Sequence, residues 1–147
     1  MLTSGARPHI ISSEIEHSAV IDTLEYLKLR FAVDVTYLKP DRFGRIDPKD
    51  AEKAIRPETI LITIMHSNNE LGVINDSRPF ARIAHNHIIP FFTDAVQSLG
   101  KTDVNVREME CDAASFSGHK IYGPKGIGAL FIKKDTLIDK FMHGGKQ

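Results

Sequence analysis

Apolar and polar positions alternate along this chain in two rhythms. His9-Ile10-Ile11-Ser12 is a short apolar run, the pattern of a buried strand. Val20, Leu24, Leu27 and Phe31 then recur at helical spacing, with Glu25, Lys28 and Arg30 elsewhere on the wheel. Val33 to Leu38 predicts a second strand, and Pro40-Asp41-Arg42-Phe43-Gly44 has turn chemistry. Asp47-Pro48 is a helix start, Asp as N-cap and Pro as first helical residue, and that helix is expected to end near Ile55, before Pro57. Thr59 to Met65 is β-branched and apolar on both faces, as in a covered parallel sheet. A loop from His66 to Asn75 follows, and Phe80, Ile83, Ala84 and His87 mark the next helix. Pro90 to Thr93 predicts a strand running into Asp94, and Val106 to Met109 a short helix. Asp112 to Phe116 predicts a strand, Ser117 to Gly126 a loop, and Ile127 to Ile132 a last strand. Strands alternating with helices argue a three-layer α/β/α fold with a mainly parallel sheet.

Composition narrows this picture. The chain has 147 residues, enough for one domain, and its 19 basic residues balance 19 acidic ones. That balance does not suggest a nucleic-acid partner. No apolar run reaches the length needed to span a bilayer, so no membrane association is expected, and the N-terminal stretch lacks the apolar core of a secretory signal. Cys111 is the only cysteine, which excludes an internal disulfide and a multi-cysteine metal site within the chain. His66, His85, His87, His119 and His143 are scattered without metal-ligand spacing, and His85-Asn86-His87 is read as the exposed end of a helix. There is no internal repeat or linker, and the final residues end without a helix or polar tail, as if the chain were cut there.

In open α/β sheets ligands gather beyond the carboxyl ends of the strands. Three polar clusters fall there: Asn68-Asn69-Glu70-Leu71-Gly72, Thr93-Asp94-Ala95-Val96-Gln97, and Ser115-Phe116-Ser117-Gly118-His119-Lys120. Each residue has a plain reading beside a chemical one. Asp94 is a helix cap or turn carboxylate, or a buried acid facing a cationic ring nitrogen. Lys120 is a solvated surface charge, or an amine freed by burial for Schiff-base chemistry. Ser117, Gly118 and His119 form an ordinary turn, or a cup in which a hydroxyl, a backbone N–H and an imidazole converge on phosphate. His17 is a capping or core histidine, and Asn68 and Asn69 are turn formers, unless they serve a ligand. Gly123-Pro124-Lys125-Gly126-Ile127-Gly128 lacks phosphate-loop spacing and precedes a strand, so it is discounted as one.

Ser117-Gly118-His119-Lys120-Ile121-Tyr122-Gly123-Pro124-Lys125-Gly126-Ile127-Gly128 resembles the cofactor-lysine segment of the cysteine desulfurases. These are pyridoxal-phosphate enzymes of the class V aminotransferase family, with the fold called fold type I. Glu16-His17, the Met65–Gly72 segment and the Thr93–Lys101 segment resemble three further family segments in the same order, so the resemblance runs from about Pro8 to Gln147. It implies that residues 1–147 are a single partial cofactor-binding domain, truncated at both ends. It further implies that Lys120 carries pyridoxal 5'-phosphate as a covalent aldimine and removes the substrate's α-proton. Asp94 would hold the pyridine nitrogen protonated, Gln97 would bond the ring's phenolic oxygen, and Asn69 would lie beside that oxygen. His17 would stack on the ring and shuttle protons, and Ser117 and His119 would hold the phosphate.

The implied reaction converts L-cysteine to L-alanine and passes the sulfur, as a persulfide on an enzyme cysteine, toward iron–sulfur clusters and thiolated cofactors. The implied partners are sulfur-acceptor or scaffold proteins and a second copy in a homodimer. The implied location is the cytoplasm, or mitochondria in a eukaryote. In the family the nucleophilic cysteine lies on a loop beyond Gln147, so the segment alone is expected to be inactive and to retain cofactor weakly or not at all. Cys111 is read as a small core residue instead. Val96 stands where the family has Ala and Lys146 where it has Gly. Selenocysteine lyase, which uses the same cofactor residues, and a non-catalytic remnant of the family are the alternative readings.

Overall fold

The structure, a computed structural model, describes residues 5–139 and Gly144. His143 and Lys146 lie outside the described residues. The elements are β1 (His9–Ser13), α1 (Ser18–Phe31), β2 (Asp34–Leu38), α2 (Pro48–Ala54), β3 (Thr59–Thr63), α3 (Ser77–Asn86), β4 (Phe91–Asp94), β5 (Ala113–Ser117), a one-turn 3-10 helix (Gly118–Ile121) and β6 (Gly128–Ile132). One six-stranded sheet runs in the order β2-β1-β3-β4-β5-β6. The first five strands are parallel, and β6 pairs antiparallel with β5.

Local chemistry sets the helix ends. Asp47 accepts the Lys49 N–H at 2.9 Å with Pro48 as first helical residue, as the sequence predicts. Asp76 caps α3 through the Arg78 N–H. The Val106–Met109 helix does not form. That stretch is a single turn, closed by Met109 N–H to the Asn105 carbonyl and ended by Glu110 at φ 55°. One hydrogen-bonded turn fixes several dihedrals for one bond, so it does not propagate once the next residue leaves the helical region.

The two sheet faces pack differently. Ile11, Ile62 and Phe91 are paired neighbours on one face, where they meet Ala51 of α2 and Phe80, Ala81 and Ala84 of α3 in the larger core. Phe80 stacks on Phe91 with ring centroids 6.3 Å apart. On the other face Ile10, Leu24 and Val33 form a smaller core under α1, with Val20, Leu27, Val35 and Leu61 against it. The chain therefore winds from β1 one way through α1 to β2, and the other way through α2 and α3 to β3 and β4. The order reverses between β1 and β3, which is where α/β sheets of this kind open a ligand crevice at their carboxyl ends.

Candidate active site

A cavity of about 490 Å³ opens at that end of the sheet, and His17, Asn69, Asp94, Gln97, Ser117, His119 and Lys120 all line it. Four separate connections deliver them. His17 follows β1, Asn69 follows β3, Asp94 and Gln97 come from β4 and the turn after it, and Ser117, His119 and Lys120 from β5 and the 3-10 turn. Strand alternation explains the wall. Phe92 and Asp94, two apart on β4, face the cavity, and so do Ser115 and Ser117 on β5. Asp94 pairs directly with Ser115 across the sheet.

Asp94 is 7% exposed. Its Oδ1 accepts the Val96 N–H at 2.9 Å and the Ser115 hydroxyl at 3.4 Å. The turn-carboxylate reading is thus correct for Oδ1, and Oδ2 makes no hydrogen bond among the described residues. An acceptor oxygen at this burial is suited to a charged N–H donor from a ligand. His17 is the N-cap of α1, with Nδ1 accepting the Ala19 N–H at 3.1 Å. A neutral His17 ring therefore carries its proton on Nε2. The Ser117 hydroxyl and His119 Nδ1 lie 2.6 Å apart on the cavity wall. Gln97 Oε1 accepts from Lys101 Nζ at 2.5 Å, which leaves the Gln97 amide N–H groups as its donors.

Two expectations need correction. Lys120 is not lodged in a buried strand end. It is exposed, because the chain leaves the sheet at Ser117 and turns once through Gly118–Ile121 before β6. The argument that burial frees its amine has no footing here, although Lys120 makes no hydrogen bond or ion pair among the described residues. The Gly118 N–H does not complete a phosphate cup either, since it donates to the Ile127 carbonyl at 2.9 Å. The turn is tight: a Cβ on Gly123 would stand 2.8 Å from the Gly118 carbonyl oxygen. The His85-Asn86-His87 stretch does end α3 with Asn86 and His87 exposed, while His85 is half-buried with its Nε2 2.8 Å from Asp112 Oδ2.

Several residues assist the wall without having been given a role from sequence. Asn68 is the turn former and holds its loop. Oδ1 accepts the Glu70 and Leu71 N–H groups at 2.8 and 2.7 Å, and Nδ2 donates to the Ile15 carbonyl at 2.7 Å. Ser115 was legible from its two-residue spacing to Ser117. Val96, Phe92, Val20, Ala19 and Met65 supply apolar walls. Ser98, fully buried, joins His66 Nδ1 at 2.7 Å to Ser67 Oγ at 2.9 Å and so ties the Asp94–Gln97 turn to the loop after β3. Cys111 is 1% exposed, and burial pushes its thiol up to about 11, as befits a core residue.

The comparisons agree with this geometry. Cysteine desulfurase IscS of Dictyoglomus turgidum is 49% identical over 139 residues, covering 95% of this chain and 35% of that protein. Cysteine desulfurase IscS of Escherichia coli is 48% identical, over 93% of this chain and 34% of its own length. A solved structure described as SspA in complex with cysteine superposes with a TM-score of 0.90 at 46% identity, covering 96% of this chain and 41% of that one. A NifS-like protein gives a TM-score of 0.90 at 37% identity, over 97% of this chain and 40% of its own. The chain thus spans about a third of the length of the curated relatives it matches. The aminotransferase class-V family pattern matches residues 2–147, and with a fold of the fold type I class the chain belongs to that family.

Proposed function

We propose that this chain is the central cofactor-binding portion of a pyridoxal-phosphate-dependent cysteine desulfurase, a sulfurtransferase of the cytoplasm that works as a homodimer and passes sulfur to acceptor or scaffold proteins. One observation carries the reading: a single cavity gathers a carboxylate with an oxygen and an amine that have no partner among the described residues, and a hydroxyl–imidazole pair. That donor set fits the cofactor, which has a basic ring nitrogen, an aldehyde and a phosphate. Bound there, the cofactor would supply an electron sink for an amino acid's α-carbon.

Each side chain then has its task. Asp94 Oδ2 would accept from the ring nitrogen and keep it protonated. Lys120 Nζ would hold the cofactor covalently and, when released from it, would be the base for the α-proton of L-cysteine. The Gln97 amide would donate to the phenolic oxygen, with Asn69 beside it. Ser117 Oγ and the His119 ring would hold the phosphate. His17 would cover the ring face with its Nε2 proton available. The sulfur-accepting thiol is not Cys111, whose buried thiol is far from ionised at neutral pH.

Titration of the chain with pyridoxal phosphate, followed by absorption, tests the proposal. The expected result is a visible band bleached by borohydride, lost in Lys120→Ala and weakened in Asp94→Asn. A borohydride-sensitive band that survives in Lys120→Ala refutes it.

A further inference from the structure

Glu16 is a carboxylate buried where none is needed for solubility. It is 8% exposed, directly before His17. Its Oε1 accepts two hydrogen bonds, from the Ser13 hydroxyl at 2.6 Å and from the Met65 N–H at 2.8 Å. Oε2 is buried without a partner. The side chain therefore clamps the end of β1 to the end of β3, across the strand pair where the sheet order reverses. The Asn68 Nδ2 to Ile15 carbonyl bond, 2.7 Å, reinforces the same junction.

His17 depends on that clamp. Its side chain is exposed, and among the described residues its one hydrogen bond is the local cap to Ala19. No hydrogen bond from another described element holds the ring. Its position over the cavity is set by the backbone that Glu16 fixes one residue earlier. We infer that Glu16 is a positioning residue for His17, locking β1 to Met65 so that the imidazole is held at the cavity mouth. The inference rests on the reading of His17 as the group that covers the cofactor ring.

The clamp works with a neutral carboxyl. A protonated carboxyl keeps a carbonyl oxygen that accepts both hydrogen bonds and needs no counter-charge. Burial, with a smaller push from the Asp94 charge, raises Glu16 to about 7, against the hydrogen bonds from Ser13 and Met65. The titratable groups around it are Asp94 from β4, Glu14 and His17 on its own segment, and Glu70 on the loop after β3.

Glutamine preserves the clamp and removes the proton, whereas alanine removes both. In the cofactor-free chain, NMR should show the His17 ring resonances displaced in Glu16→Ala and at their wild-type positions in Glu16→Gln. The Met65 amide should show a titration step near pH 7 in the wild type that disappears in Glu16→Gln. After loading, Glu16→Ala should weaken pyridoxal phosphate binding about tenfold, and Glu16→Gln should leave it unchanged within about twofold. Displaced His17 resonances in Glu16→Gln overturn the inference, as do undisplaced resonances in a folded Glu16→Ala. If Glu16→Ala does not fold, the Gln variant alone decides by the same two signals. A borohydride-sensitive band that survives in Lys120→Ala overturns the proposed function, while the cofactor-free spectra still judge the clamp.

Discussion

Lowering the pH from 7.5 to 5 acts on two buried groups in opposite directions. His9 is fully buried, with its ring nitrogens 2.8 Å from Thr59 Oγ1 and 2.9 Å from Thr36 Oγ1. Burial, with help from the Arg56 charge, lowers it from 6.5 to about 4. Its neutral form is the folded form, so the stability it contributes is present above pH 6.5 and is lost as the pH falls toward 4. Integrating those two values over this interval gives a loss of ~2 kcal/mol. Glu16, raised from 4.5 to about 7, behaves inversely. Its penalty is absent below pH 4.5 and complete above pH 7, so the same acidification returns ~2 kcal/mol. The two nearly cancel, and these groups leave the wild-type stability almost flat across the interval.

Single substitutions unmask each slope. In Glu16→Gln the His9 slope is no longer offset, and stability should fall by at least ~2 kcal/mol from pH 7.5 to 5. His66, also lowered by burial, adds to that slope with the same sign. In His9→Gln the Glu16 slope dominates, and stability should rise by up to ~2 kcal/mol, the His66 slope opposing it. Urea denaturation followed by circular dichroism at four pH values measures both, and the comparison uses slopes, so any constant cost of the substitution drops out. A Glu16→Gln protein whose stability does not change with pH, or a His9→Gln protein that loses stability on acidification, refutes the assignment.

Further tests follow from other contacts. Phe80→Ala removes the ring stacked on Phe91 in the larger core and should cost ~3–5 kcal/mol in urea denaturation. Gly128→Ala puts a Cβ 2.7 Å from the Phe116 carbonyl oxygen within the β5–β6 ladder. It should destabilise by at least ~1 kcal/mol and speed amide exchange along β6. Asn68→Ala leaves two loop N–H groups and the Ile15 carbonyl without their partner. A cost of ~2–3 kcal/mol is expected, together with weaker binding of pyridoxal phosphate by titration. Cys111 should resist a disulfide exchange reagent at pH 8 in the native chain and react at once in denaturant.

The strands and helices were legible because each apolar rhythm has one meaning in a covered parallel sheet. Ile10 to Ser12, Leu24 with Leu27, and Phe80 with Ala84 do what their spacing predicts. The turn at Val106–Met109 was misread because two apolar residues three apart fit a helix start, while the positive φ of Glu110 leaves no residue-type signal. The site's location was legible from the rule about strand ends, and its membership from motif resemblance. Which Asp94 oxygen is free was not legible, because it depends on the Ser115 hydroxyl one strand away. The exposure of Lys120 was hidden for a related reason. The link from Ser117 to Gly128 is too short for a crossover helix, so the chain reverses over the sheet end rather than burying its lysine beneath a helix.

Because β4 and β5 present cavity groups at alternate positions, their lengths are read in steps of two. One residue inserted or deleted between Phe91 and Asp94 would turn either Phe91 out of the core or Asp94 away from Ser115, even though every residue type were kept. A change of the same size at the exposed His87–Ile88 positions before β4 would be absorbed in the loop. Drift in chain length through this region should therefore collect at the amino ends of the strands. The carboxyl ends keep their count.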